Sequence, residues 1–214
     1  MLYYLGRTLF RLAFWLLGGL TSVGAENIPP TGGVILAPNH RSFADPPVVG
    51  CGMNRKVHYM AKEELFKVPI LGKLIRAVGS FPVRRGMADR AALKKAIKML
   101  EEGRVVCIFP EGTRSVDGRL KDPELGIGLI ALKSRAPVVP VAVLGTDKVL
   151  GPHSKLPRRH PIKVVYGKPI TFDDLYEGSH GREALEEVGR RTMDAIASLL
   201  AEAGDPKATK RKQS

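Results

Sequence analysis

After the Ile28-Pro29-Pro30 break, short uninterrupted apolar runs alternate with helix-length amphipathic segments, and this alternation constrains the fold more than any other feature. The runs are Gly33 to Ala37, Val57 to Met60, Phe81 to Val83, Arg104 to Phe109, Val138 to Leu144 and Ile162 to Tyr166. Runs of that length bounded by Gly, Pro and polar residues read as strands apolar on both faces. Between them, Pro46 to Met53, Pro69 to Val78, Ala88 to Glu102, Gly126 to Arg135 and Arg182 to Ala203 read as helices. Ala92, Ala96, Met99 and Leu100 share one face of the third, Lys94, Lys95 and Lys98 the other, and Gly103 supplies its C-terminal cap. Strands separated by helices imply an α/β fold: a mostly parallel, twisted sheet flanked by helices on both faces. With 214 residues, 44% of them hydrophobic, one such domain is expected over residues 26–206, and global disorder is excluded.

The first 25 residues form a separate segment. Its uninterrupted apolar run, Leu12 to Leu20, is nine residues long, whereas about 20 are needed to span a bilayer as a helix. Arg7 and Arg11 share a helical face, Leu5, Leu9, Leu12 and Leu16 gather beside them, and Tyr3, Tyr4 and Trp15 suit a headgroup boundary. The pattern describes an amphipathic helix lying in a membrane surface, arginines among phosphates and leucines among acyl chains. Two other readings stand beside it: a core helix, and a signal peptide cleaved near Val23-Gly24-Ala25. At the other end, residues 207–214 form a short, basic, flexible tail.

The 34 Lys and Arg against 21 Asp and Glu leave a net charge of +13, which favours an anionic partner. Residues 55–85 carry eight of the cations and only Glu63 and Glu64 in opposition. Nucleic acid is disfavoured, because no recognition motif is present and aromatics make up 6%. Two cysteines, Cys51 and Cys107, give neither a disulfide framework nor metal-ligand spacing, and read as buried thiols.

Ligands of open α/β sheets gather beyond the carboxyl ends of strands, and three polar segments fall at such ends. In Asn39-His40-Arg41-Ser42-Phe43-Ala44-Asp45, a carboxylate can hold one imidazole nitrogen of His40 and leave the other to accept a proton. The same Asp45 also reads as a helix N-cap before Pro46. No Gly-x-Ser-x-Gly elbow occurs, so such a base would activate a substrate hydroxyl. In Phe109-Pro110-Glu111-Gly112-Thr113-Arg114-Ser115, Gly112 permits close backbone approach, and Thr113 and Arg114 offer donors suited to a phosphate. Glu111 could orient Arg114 or accept a polyol hydroxyl; a solvated turn is the alternative. The third segment, Gly79 to Gly86, delivers Arg84 and Arg85 to the same edge.

Together these segments resemble the lysophosphatidic acid acyltransferase family of glycerophospholipid acyltransferases. His40 and Asp45 match the first motif, Phe81 to Arg85 is similar to the second with Arg85 at its usual arginine, and Phe109 to Ser115 matches the third. Val138 to Val141 is similar to the fourth, which implies an acyl-chain role for Val139, Pro140 and Val141. One departure is Leu125 before Gly126, where many members carry a lysine; Lys121 is nearby. The resemblance implies acyl transfer from acyl-CoA or acyl carrier protein to the sn-2 hydroxyl of lysophosphatidic acid, with no metal or other cofactor. It further implies His40 as base, Asp45 as its partner, Arg85 and Arg114 on the phosphate, Glu111 with Gly112 at the glycerol, and a peripheral or monotopic place on the cytoplasmic face of a membrane. A sibling enzyme using glycerol 3-phosphate or another lysophospholipid is the alternative.

Overall fold

The computed structural model describes residues 2–84, 89–151, 154, 156–177 and 181–208. In chain order the elements are α1 (Leu2–Leu16), β1 (Leu20–Val23), β2 (Val34–Pro38), α2 (Asp45–Cys51), β3 (Val57–Lys62), α3 (Pro69–Ala77), β4 (Phe81–Val83), α4 (Arg90–Glu101), β5 (Val105–Cys107), α5 (Leu125–Ser134), β6 (Val138–Leu144), α6 (Thr146–Val149), β7 (Ile162–Tyr166) and α7 (Arg182–Glu202). The sheet runs β1-β7-β6-β2-β5-β3-β4. β6, β2, β5, β3 and β4 are mutually parallel; β7 lies antiparallel to β6, and β1 parallel to β7.

The continuous apolar runs become strands because both faces are covered. Along β2, Ile35 and Ala37 enter one core with residues of α4, α5 and α7, while Val34 and Leu36 enter a second with Phe14 of α1 and Val48 and Val49 of α2. Truncating such a residue, Leu36→Ala for example, costs about 2–5 kcal/mol. The connections β2-α2-β3 and β3-α3-β4 both step toward β4, so right-handed crossovers put α2 and α3 on one face. The connections β4-α4-β5 and β5-α5-β6 step back and put their helices on the other. α4 starts where Asp89 accepts the Ala92 N–H at 3.1 Å, and it stops at Gly103, whose φ of 76° lets its own N–H and that of Arg104 return to Leu100 and Met99.

The N-terminal segment differs from expectation in two ways. Residues 20–23 are an edge strand, not part of a helical appendage, and pair with β7 from Leu20↔Ile162 to Val23↔Val165. Gly24 turns out of that strand with φ 73°, where a Cβ would come within 2.2 Å of the Tyr166 carbonyl oxygen. Of the small-residue trio, Val23 thus ends the edge strand, Gly24 turns out of it and Ala25 begins a short 3-10 turn. Moreover, α1 is rotated so that its arginines point inward. Arg7 donates to the Met53 and Asn54 carbonyls at 2.9 and 3.1 Å, and Arg11 to the Cys51 carbonyl at 2.9 Å. These carbonyls, at and just past the end of α2, include ones that the helix leaves unpaired, and they attract cations. Tyr3 and Phe14 are buried on the same side, while Leu5, Leu9, Leu12, Leu16 and Trp15 are exposed. The arginines therefore tie α1 to the protein, and the leucine face is the free one.

Among the described residues no helix is long and apolar enough to cross a membrane. At the C-terminus the ordered chain runs past α7: the Lys207 ammonium donates to the Asp117 carbonyl at 2.8 Å and Ala208 is buried, so the expected flexible tail does not begin at residue 207. Residues 209–214 lie outside the described residues.

Candidate active site

β2 leaves the carboxyl edge of the sheet at Pro38, and Asn39 fixes the exit. Its amide group mimics a further strand residue: Nδ2 donates to the Val143 carbonyl at 3.0 Å and Oδ1 accepts the Val143 N–H at 2.7 Å. His40, the next residue, is consequently held at the mouth of the β2-β6 pair. Asp45 opens α2, with prolines behind it, and its carboxylate turns back into the loop. Oδ2 accepts His40 Nδ1 at 2.8 Å and the N–H groups of Arg41 and Ser42 at 2.7 Å each. Of the two sequence readings of Asp45 only the histidine partner is realised: Ala44 is the N-cap of α2 and no side chain caps it, while one Asp45 oxygen organises the preceding loop and orients the imidazole.

A carboxylate can only accept, so the His40–Asp45 contact puts a proton on Nδ1 and makes Nε2 the basic nitrogen of the neutral ring. The imidazole stacks on Phe109, ring centroids 3.9 Å apart and planes 26° from parallel. With Asp45 fully buried and His40 7% exposed, the pair sits in surroundings where its charge–charge coupling is stronger than in water.

The segment after β5 wraps around the same histidine. Glu111 Oε1 accepts the His40 backbone N–H at 2.9 Å, Oε2 accepts that of Lys121 at 3.1 Å, and the His40 carbonyl accepts the Ser115 N–H at 2.7 Å. Glu111 thus brackets two backbone segments, which neither of the roles inferred for it from sequence includes. Burial pushes its carboxyl up to about 7, against the pull of those two amides and of Lys121 and Arg41. Gly112 has φ 66° in the turn closed by its N–H on the Phe109 carbonyl at 3.1 Å. Thr113 is exposed, and its hydroxyl accepts the Lys121 ammonium at 3.1 Å. That ammonium also donates to the Arg114 carbonyl at 2.9 Å, and the Arg114 guanidinium lies 3.5 Å from the Phe43 ring centroid. Two cations therefore converge on one turn beside His40, an arrangement suited to an oxyanion such as a phosphate.

Other expected residues are placed differently. Val139 and Val141 are fully buried in the core beneath α2, in the strand next to β2; Val141 pairs with Pro38 and its carbonyl accepts the Asn39 N–H at 3.4 Å, just below His40. Pro140 pairs with Ala37 and accepts the Gly167 N–H at 2.8 Å. Arg84 is exposed, 3.6 Å from Glu63, and Arg85 lies outside the described residues. Both cysteines are buried with thiols pushed up by desolvation, Cys51 to about 11, which keeps them protonated and non-nucleophilic. Among the described residues no three His, Cys, Asp or Glu side chains converge as a metal-ligand set.

Sequence reasoning gave no role to Asn39, Phe109 or Arg41. Arg41 is 5% exposed and forms a buried ion pair with Asp205, beyond the end of α7. An asparagine directly after a buried strand was the only local signal among these; the partners of the other two lie far off in the chain.

The chain has clear relatives among known proteins. The family model described as Acyltransferase matches residues 19–144. The 1-acyl-sn-glycerol-3-phosphate acyltransferase of Bacillus subtilis is 34% identical over 160 residues, 74% of this chain and 77% of that protein. The chloroplastic enzyme BAT2 of Brassica napus, of the same name, is 33% identical over 69% of this chain, which spans 44% of that longer protein. Among solved structures, the lysophosphatidic acid acyltransferase PlsC from Thermotoga maritima superposes with a TM-score of 0.76 at 27% identity, covering 94% of this chain and 80% of the other. The matched region runs from the edge strand through the His40–Asp45 loop and the Phe109–Ser115 turn to the end of β6, and on that footing the chain belongs to the acyltransferase family.

Proposed function

We propose that this chain is a 1-acyl-sn-glycerol-3-phosphate O-acyltransferase, moving a fatty acyl group from a thioester to the sn-2 hydroxyl of lysophosphatidic acid to give phosphatidic acid. The observation that carries the reading is a buried His–Asp pair at the carboxyl edge of the sheet with the Arg114 and Lys121 cations on the adjoining turn. His40 Nε2 takes the hydroxyl proton as the oxygen attacks the thioester carbonyl, while Asp45 holds Nδ1 and stabilises the imidazolium. The tetrahedral adduct collapses, the carbon–sulfur bond breaks, and the thiolate leaves and recovers the proton from Nε2. A base so placed contributes about 10²–10⁴-fold. Arg114 and Lys121 hold the acceptor phosphate, with Arg85 as a further candidate. The reaction balances without metal or redox group, and either acyl-CoA or acyl carrier protein supplies the thioester. In this reading the enzyme works as a peripheral protein on the cytoplasmic face of a membrane, with the leucine face of α1 in the lipid.

The test offers the purified chain both donors in mixed micelles, with lysophosphatidic acid, glycerol 3-phosphate and lysophosphatidylcholine as acceptors. Lysophosphatidic acid is expected to give the highest kcat/KM. A preference for glycerol 3-phosphate would move the reading to a sibling enzyme, and transfer to none of the three would refute it.

A further inference from the structure

A helix on a globular protein ordinarily turns its apolar stripe to the core, and α3 does the reverse. Gly72 marks its inner side: a Cβ there would come within 2.3 Å of the Phe66 carbonyl oxygen, so this side is pressed against backbone. At 3.6 residues per turn, Ile70 and Leu74 each lie about 160° round the helix from Gly72. Ile70 is 85% exposed and Leu74 45%, with Leu71 also open. No Asp or Glu occurs from Leu65 to Ala88, whereas Lys67, Lys73, Arg76, Arg84 and Arg85 do. Arg76 is stacked over Phe66, its guanidinium 5.3 Å from the ring centroid. Lys67 and Arg84 face Glu63 at 3.8 and 3.6 Å, which leaves Lys73 and Arg76 as the exposed cations carried by α3 itself.

We propose that α3 is a second membrane-seating element, separate from α1, inserting Ile70, Leu71 and Leu74 into an anionic phospholipid surface with Lys73 and Arg76 at headgroup level. Charge complementarity selects a bilayer as the occupant: an apolar tip edged by lysine and arginine matches acyl chains beneath anionic headgroups. Position agrees. α3 begins just beyond the carboxyl end of β3, the edge from which His40 leaves β2, and it shares the α1-α2 face of the sheet. The last turn of α1, with Trp15 and Leu16 exposed, approaches that same edge, because β1 starts there. The exposed Phe43 and Val116 lie in the two loops around His40. Seating at both α1 and α3 would turn the catalytic edge toward the lipid.

Vesicle partition reads this surface whichever acceptor the enzyme takes. The full chain and the Ile70→Glu/Leu74→Glu variant are compared by flotation with phosphatidylcholine–phosphatidylglycerol vesicles. Partition is expected to fall at least about tenfold, from the apolar area lost to insertion, with the melting temperature and the rate on a dispersed short-chain acceptor unchanged. Because Cys51 and Cys107 are buried, an Ile70→Cys variant takes an environment-sensitive dye at one site. Its emission should shift to the blue on vesicles and be quenched by brominated lipid. Unchanged partition or a dye that stays in water would overturn the proposal. So would self-association of the wild-type chain that the double glutamate variant abolishes, since α3 would then be an interface between copies.

Discussion

Replacing Asp45 with asparagine separates electrostatics from architecture at this site. Asp45 Oδ2 accepts three hydrogen bonds, from His40 Nδ1 and the Arg41 and Ser42 amides, whereas Oδ1 is buried with no partner among the described residues. An asparagine that keeps its carbonyl oxygen at the Oδ2 position retains all three contacts, and its amide nitrogen takes over a place that was already unpaired. Flipping it would face two or three donors with a donor, at about 1–3 kcal/mol for each group left unsatisfied. Stability should therefore change little. What disappears is the charge beside the imidazolium. At a charge separation of about 4 Å and an effective dielectric constant of about 20, that attraction is worth about 4 kcal/mol, or about a thousandfold in rate. The assay is release of free thiol from the acyl thioester with lysophosphatidic acid in mixed micelles, alongside thermal melting. We expect kcat to fall about a thousandfold at an almost unchanged melting temperature. A variant keeping more than about a tenth of the wild-type rate would show that Asp45 serves only to shape the loop.

Glu111→Gln should uncouple stability from pH. The Glu111 carboxyl is raised from 4.5 to about 7 in the folded protein, so the folded state holds a proton that the unfolded chain has lost. Its contribution is fully present below pH 4.5 and is lost as pH rises to about 7, about 3 kcal/mol in all. Denaturant titrations at the two ends of that window should show this slope in the wild type and not in the variant, which also loses about 1–3 kcal/mol because an amide nitrogen cannot accept a backbone N–H. Arg114→Ala should lower kcat/KM for lysophosphatidic acid about 10–100-fold, mostly through the acceptor KM, with donor KM unchanged; an equal loss with a phosphate-free acceptor would contradict the assignment. Arg7→Ala, which frees the Met53 and Asn54 carbonyls, should cost about 1–2 kcal/mol of stability and leave vesicle partition nearly unaltered; a large loss of partition would return Arg7 to the lipid headgroups.

Local pattern carried much of this fold into the sequence. A run such as Val34-Ile35-Leu36-Ala37 has no stable place except between two apolar layers, so β2, β5 and β6 and their parallel arrangement could be read directly. The same holds for α4, whose two faces and Gly103 stop are written in its own residues, and for the His40–Asp45 pair, separated by one short loop. β1 was not legible. Four residues of mixed polarity carry almost no periodic signal, and their strand state rests on backbone hydrogen bonds to β7 from the far end of the chain.

Periodicity also showed that α1 has two faces without showing which of them meets the protein. That was decided by the carbonyls at and just past the end of α2, which attract Arg7 and Arg11 from 40 to 47 residues away. Glu111 finds its amide partner 71 residues earlier, and Arg41 its carboxylate 164 residues later. A sequence determines which groups need a partner, because charge, polarity and apolar length are local properties. Which partner each one receives depends on what the sheet brings alongside, and only the folded chain settles that.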